Sequence, residues 1–200
     1  MDVEASARAG LHAVQVAQAY LAGGARFLQI RAKALGSHDF LDLADACVEA
    51  ARPFHASVII NDRVDIARLS GAAGVHVGQE DLAPGAVRRL LGDGAIVGFS
   101  THTVAQIEAA VREPISYLAV GPVFGTRTKD TGYEAVGLTL VREATRRAGT
   151  LPVVAIGGIT LENASSVVDA GAAAIAVIGD LLTGADPERR ARAFLQRLGV

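Results

Sequence analysis

Two hundred residues, half of them apolar, suffice for one well-filled domain and leave little room for a second. The 19 basic and 21 acidic residues are mixed along the chain to a net charge of −2, which argues against a nucleic acid or an anionic membrane as partner. Aromatic residues at 4% offer no stacking platform for bases, no apolar run reaches the length of a membrane span, no signal-peptide pattern opens the chain, and the single Cys47 cannot form an intrachain disulfide; a cytoplasmic location fits.

From residue 13 onward, helical and β-rich stretches alternate. A weakly helical opening follows Met1-Asp2-Val3. The first clear helix is expected over Ala13–Ala22, closed by Gly23-Gly24, and a strand over Phe27–Ile30. Ser37 signals the start of a helix over His38–Ala51. A strand over Ser57–Ile60, a helix over Val64–Ser70 and a strand over Gly74–Val77 come next. Pro84 opens a helix to Leu91. A strand over Ala95–Val97, a helix over Val104–Arg112 and a strand over Ile115–Val120 continue the series. A helix over Leu138–Arg147, a strand over Pro152–Ile156, a helix over Leu161–Ala170 behind Thr160, and a strand over Ala173–Val177 complete it. A last helix spans Pro187–Leu198.

Such alternation predicts parallel strands with helical crossovers, either a doubly wound sheet or a closed (β/α)₈ TIM barrel. The barrel is favoured. Strand spacing is even, no Gly-x-Gly-x-x-Gly follows the first strand, and polar residues cluster at nearly every strand's C-terminal end, where a barrel has its mouth. The expectation is therefore one barrel domain over residues 1–200. Its first strand is absent or truncated to the opening three residues, because only seven strand-like runs can be counted.

The most informative loop is Gly121-Pro-Val-Phe-Gly-Thr-Arg-Thr-Lys-Asp130, which follows a strand and carries two hydroxyls, two cations and glycine-freed N–H groups. That inventory suits a phosphate or diphosphate. Gln29, Arg31 and Lys33 alternate onto one side of the first visible strand, and polar groups facing inward there need a partner. Asp62 and Asp81 follow neighbouring strands, which lie about 4.8 Å apart. They can converge on a hard cation such as Mg²⁺, with substrate oxygens and water filling the remaining positions. The plainer alternatives are a helix cap for Asp62 and a turn residue for Asp81, while Asp65 reads as a helix-surface acid. Ser100 lacks a nucleophile elbow and reads as a hydrogen-bonding group. His76 reads as an inner-layer residue rather than a base, and the five histidines show no zinc spacing. Gly157-Gly158 and Ile178-Gly179 follow the last two strands, where barrels place a phosphate site.

Taken together, these motifs resemble those of the thiamine phosphate synthase family from near residue 10 to the C-terminus. The matching residues are Gln29-x-Arg31-x-Lys33, Asn61-Asp62, His76-x-Gly78-Gln79-x-Asp81, Gly98-x-Ser100-x-His102, Gly121-Pro122-x-Phe124-x-Thr126-x-Thr128-Lys129 and Gly157-Gly158-Ile159. The resemblance implies a barrel transferase that joins 4-amino-2-methyl-5-hydroxymethylpyrimidine diphosphate to a thiazole phosphate and releases diphosphate. It implies that Asp62 and Asp81 hold Mg²⁺ and that Arg31, Lys33, Asn61 and Lys129 bind diphosphate oxygens. Gln29 and Ser100 would contact the pyrimidine or the leaving group. Thr126, Thr128, Gly158, Ile178 and Gly179 would line the thiazole phosphate side. Lys129, Ser100 and Arg31 are the expected catalytic residues. The chain departs from the family at its opening strand, where Asp2 stands as the remnant of a terminal acid, and at Gly179, where a serine is common. Alternatives are a thiazole tautomerase of the same barrel, a non-catalytic phosphate-binding barrel, or a phosphate-binding barrel enzyme of tryptophan synthesis. A homo-oligomer is compatible with all of them.

Overall fold

The computed structural model describes residues 1–125 and 132–199. Seven strands form one parallel sheet in sequence order: β1 (Phe27–Ile30), β2 (Ser57–Asn61), β3 (Gly74–Val77), β4 (Ile96–Thr101), β5 (Tyr117–Val120), β6 (Val153–Ile156) and β7 (Ala174–Ala176). Among the described residues nine α-helices accompany the strands: α1 (Val3–Arg8), α2 (Ala13–Ala22), α3 (Ser37–Ala51), α4 (Val64–Ser70), α5 (Pro84–Leu91), α6 (Val104–Ala110), α7 (Gly137–Ala148), α8 (Ala164–Asp169) and α9 (Pro187–Leu198). No helix among the described residues is long and apolar enough to cross a membrane.

Strand parity separates two environments. Leu28, Ile30, Val58, Ile60, Val75, Val77 and Val97 face outward and join helix residues such as Phe40, Ala44 and Ile66 in one core. Leu118, Val120, Val153 and Ala155 do the same with Ile107, Val141 and Val167 in a second. The alternate residues Gln29, Ile59, His76, Ser100 and Tyr117 turn to the other face of the sheet. The sheet is curled, and α9 packs against α2, so the helical layer returns to its start.

At the opening of the chain, where the first strand is expected to be absent or cut to three residues, the residues make one short pairing beside β1. Asp2 makes a parallel bridge with Arg31. The Arg31 N–H donates to the Met1 carbonyl at 3.0 Å, and the Val3 N–H donates to the Arg31 carbonyl at 2.9 Å. Met1 to Val3 thus sits beside the upper end of β1. It stops at one bridge because Asp2 already caps α1, its side chain accepting from the Ala5 N–H at 2.8 Å. Among the described residues, no ladder joins β7 to β1.

Three local readings change. Ser37 is not a cap but the first residue of α3, behind Gly36. α8 begins at Ala164 because Thr160 and Asn163 close a turn first, the Thr160 N–H donating to Asn163 Oδ1 at 2.8 Å. β4 runs through Gly98 to Thr101, held by ladders on both sides, so Ser100 lies on a strand rather than in a loop.

Strand packing requires glycine at position 74, where a Cβ would lie 1.8 Å from the Ile96 carbonyl oxygen. Gly85, in the first turn of α5, has open space around it. Gly74→Ala should therefore lose about 3 kcal/mol or more of stability, from overpacking against backbone that cannot move aside. Gly85→Ala should gain roughly 0.5 kcal/mol from reduced unfolded-chain entropy. Urea unfolding midpoints of the two variants check the opposite signs.

Candidate active site

The C-terminal ends of β1, β2 and β3 bring acids and cations together. Asn61 ends β2, and Asp62 follows it at φ +62°, a left-handed conformation uncommon for a residue other than glycine. The turn is tight. The Asp62 N–H donates to the His76 carbonyl at 2.8 Å, and the Arg63 N–H donates back to the Asn61 carbonyl at 2.8 Å. This is an i→i+2 turn with positive φ at its centre, the strained kind. Asp62 is therefore no helix cap; Arg63 occupies that position without a side-chain bond to α4. The conformation aims the carboxylate across the rim.

Asp81 meets it there. One Asp81 oxygen accepts from the Gly78 N–H at 2.8 Å, which fixes the loop after β3. Its carboxyl stands near enough to Asp62 for its charge to act there. Burial pushes the Asp62 pKa up; the Lys33 ammonium opposes that shift, and Asp81 adds to it. Lys33 and Asp62 form a close ion pair. Asp62 Oδ2 is buried, and the Lys33 ammonium is the group that meets it. Two converging carboxylates, one with a buried oxygen, fit a small divalent cation that takes its remaining ligands from phosphate and water.

Arg31 stands one residue pair along β1. Its Nη1 donates to Asp2 Oδ2 at 2.5 Å, and Asp2 is only 1% exposed. Its buried Nε has no hydrogen-bond partner. Glu4 Oε1 accepts from the Ala34 N–H at 2.8 Å and so ties α1 to the loop after β1. Asp2, Glu4, Arg8, Arg31, Lys33 and Ala34 line a cavity of ≈ 330 Å³. Sequence parity placed Gln29, Arg31 and Lys33 on one side of the strand. It did not reveal that Asp2 pins Arg31, because the contact spans 29 residues and depends on the bridge to β1.

Further round, Ser100 on β4 and His76 on β3 are joined, His76 Nε2 lying 2.8 Å from Ser100 Oγ. Gly121 to Gly125 follows β5 and is stitched to β6. The Val123 N–H donates to the Ile156 carbonyl, and the Phe124 N–H to the Gly157 carbonyl, both at 2.9 Å. Thr126, Thr128 and Lys129 lie outside the described residues. The Tyr133 ring stacks on His102 with centroids 4.0 Å apart. Gly158, at φ +62°, sits against Phe124 and Gly125, so the loops after β5 and β6 meet. Ile178 and Gly179 follow β7 and lead into a 3₁₀ turn, Asp180–Ala185. Asp180 accepts from the Leu161 N–H at 3.0 Å and pairs with Arg190 at 2.7 Å, which joins this turn to the loop after β6.

An acid–cation cluster on one side of a parallel α/β rim, with glycine turns on the other, defines a barrel-like protein built to hold a phosphorylated ligand. The comparisons agree with that class. The model of the family described as thiamine monophosphate synthase matches residues 3–181. A thiamine-phosphate synthase of Koribacter versatilis is 44% identical over 182 residues, covering 91% of this chain and 84% of the relative. One from Thermus thermophilus is 44% identical over 178 residues, covering 89% and 85%. The solved thiamine phosphate pyrophosphorylase from Pyrococcus furiosus superposes with a TM-score of 0.86 at 27% identity, covering 93% of this chain and 89% of that one. The chain belongs to the thiamine monophosphate synthase family.

The raised Asp62 pKa has a definite sign. Between the ordinary carboxylate value and the raised one, the folded chain holds a proton that the unfolded chain has released. Stability without metal therefore falls as pH rises through that interval and recovers as pH falls. Asp62→Asn should accordingly leave the melting temperature in chelator at neutral pH unchanged or raise it by about 2–4 °C. Asparagine tolerates the left-handed turn, and Lys33, more than half exposed, loses little with its partner. A drop of several degrees in calorimetry would show that the charge supports the fold.

Proposed function

We propose that this chain is a thiamine-phosphate synthase, a cytoplasmic transferase folded as a single eight-position barrel domain with Met1 to Val3 in the first strand's place. It joins 4-amino-2-methyl-5-hydroxymethylpyrimidine diphosphate to a thiazole phosphate and releases diphosphate. The observation that carries this reading is the convergence of Asp62 and Asp81 beside Lys33 and Arg31. A thiazole phosphate isomerase has no leaving diphosphate and no use for such a cluster.

Asp62 and Asp81 are the residues to hold Mg²⁺, which would supply positive charge to the diphosphate oxygens when bound. Lys33 pairs with Asp62; with a cation held by that carboxylate, the ammonium would be available to a phosphate oxygen. Arg31 is already held by Asp2 at one nitrogen and keeps its buried Nε–H for an anion. These cations, with Asn61 and Lys129, stabilise negative charge as the bond between the pyrimidine methylene carbon and the diphosphate oxygen breaks. The aminopyrimidine ring delocalises the resulting cation. The thiazole nitrogen then attacks the methylene carbon, forms the new C–N bond and becomes quaternary. Gly158, Ile178, Gly179, Thr126 and Thr128 orient the thiazole phosphate for that attack. No enzyme nucleophile is required, and Ser100 acts by hydrogen bonding.

A diphosphate-release assay with each substrate alone and with both together tests the reading. Release is expected only with both substrates and Mg²⁺. Turnover of the thiazole phosphate alone, without metal, would instead establish a tautomerase, and binding without product would establish a non-catalytic barrel. Asp81→Ala should lower kcat by about a hundredfold or more, with an unchanged circular dichroism spectrum. Near-normal turnover in that variant would remove Asp81 from the mechanism.

A further inference from the structure

The floor of the site holds a polar chain that the reaction above leaves unused. In the sheet register His76 pairs with Gly98, and Gly98 pairs with Tyr117, so the three occupy one row across β3, β4 and β5. Gly98 leaves the middle of that row empty. A Cβ there would lie 2.1 Å from Tyr117 Cζ and 2.4 Å from His76 Nδ1. Through this gap the Tyr117 hydroxyl reaches His76 Nδ1 at 2.9 Å, and the two rings stack with centroids 5.5 Å apart. On its other side His76 Nε2 meets Ser100 Oγ at 2.8 Å. Ser100, at one end of the row, is assigned above to the substrate, while His76 and Tyr117 are buried behind it.

Proton counting gives the row a direction. Burial pushes the Tyr117 pKa up, so the phenol keeps its single proton. His76 Nδ1 is the group that pairs with this buried hydroxyl, so the phenol donates its proton there. The neutral imidazole then carries its own proton on Nε2 and donates it to Ser100 Oγ. Ser100, with an acceptor site filled, turns its O–H toward the ligand.

We propose that His76 and Tyr117 are positioning residues that fix Ser100 as a hydrogen-bond donor, so that the site selects a ring offering an acceptor opposite that hydroxyl. An aminopyrimidine carries such an acceptor in its ring nitrogens. This identification of the ring rests on the synthase reading; the hydrogen-bond direction rests on the row alone.

The test has a spectroscopic arm that needs no turnover and a kinetic arm that does. Long-range nitrogen–proton correlation spectra of labelled histidine rings, with His76 assigned by its loss in His76→Gln, should show a neutral ring protonated on Nε2. Tyr117→Phe should shift that ring toward a mixture of tautomers. In steady-state kinetics, Tyr117→Phe should raise KM for the pyrimidine diphosphate about tenfold and leave KM for the thiazole phosphate within about twofold. His76→Gln keeps an N–H near the Nε2 position and should retain about tenfold more kcat/KM than His76→Leu. A wild-type ring protonated on Nδ1, equal rises in both KM values, or equivalent Gln and Leu variants would each overturn the proposal. Diphosphate release with an Nδ1-protonated ring would reject only this inference. The expected tautomer without diphosphate release would support the row's direction and reject the synthase reading.

Discussion

The rim is organised around a carboxylate that the fold makes uncomfortable. Asp62 is largely buried, faces a second carboxyl from Asp81 and is only partly answered by Lys33. It stands in a left-handed turn that an unconstrained aspartate would leave. Desolvation, like-charge proximity and backbone strain each disfavour this arrangement. It persists because the ladder between β2 and β3 over-determines it, the turn's N–H groups being bonded to the His76 and Asn61 carbonyls. On the proposed reading, a cation bound there would relieve this cost beside Arg31 and Lys33.

The same registry organises the site's floor. Asn61, His76, Gly98 and Tyr117 occupy a single row of paired residues across four strands. A residue larger than glycine in that row would separate His76 from Tyr117. The acid cluster above and the hydrogen-bonded row below thus depend on one set of parallel ladders. Arg31 belongs to the same construction, since its guanidinium is oriented by Asp2, whose bridge to β1 fills the upper end of the neighbouring position.

Much of the fold was legible because its signals are local. The period of apolar residues, the proline before α5 and the glycines after α2 and α4 mark α2, α4, α5 and α9 at the residues where the structure has them. The expected strand over Ala95–Val97 stops short of β4's end, because Gly98 belongs to the paired strand as the clearance for Tyr117. α8 was read three residues early, because the Thr160–Asn163 turn mimics a helix start. The convergence of Asp62 with Asp81 could be anticipated from adjacent strand ends. The left-handed turn that aims Asp62 could not, since nothing in Asn61-Asp62-Arg63 requires it.

By itself the sequence determined the alternation of strands and helices, the outward apolar parity of each strand and the placement of polar residues at strand ends. These follow from period and neighbour chemistry, which are properties of short stretches of chain. The tertiary structure alone decided which polar groups share a partner: Arg31 with Asp2, Lys33 with Asp62, His76 with both Tyr117 and Ser100. Those pairings join residues on different strands or on α1 and a strand. They are set by register and sheet curl, which arise only when the whole apolar surface of the chain is buried at once.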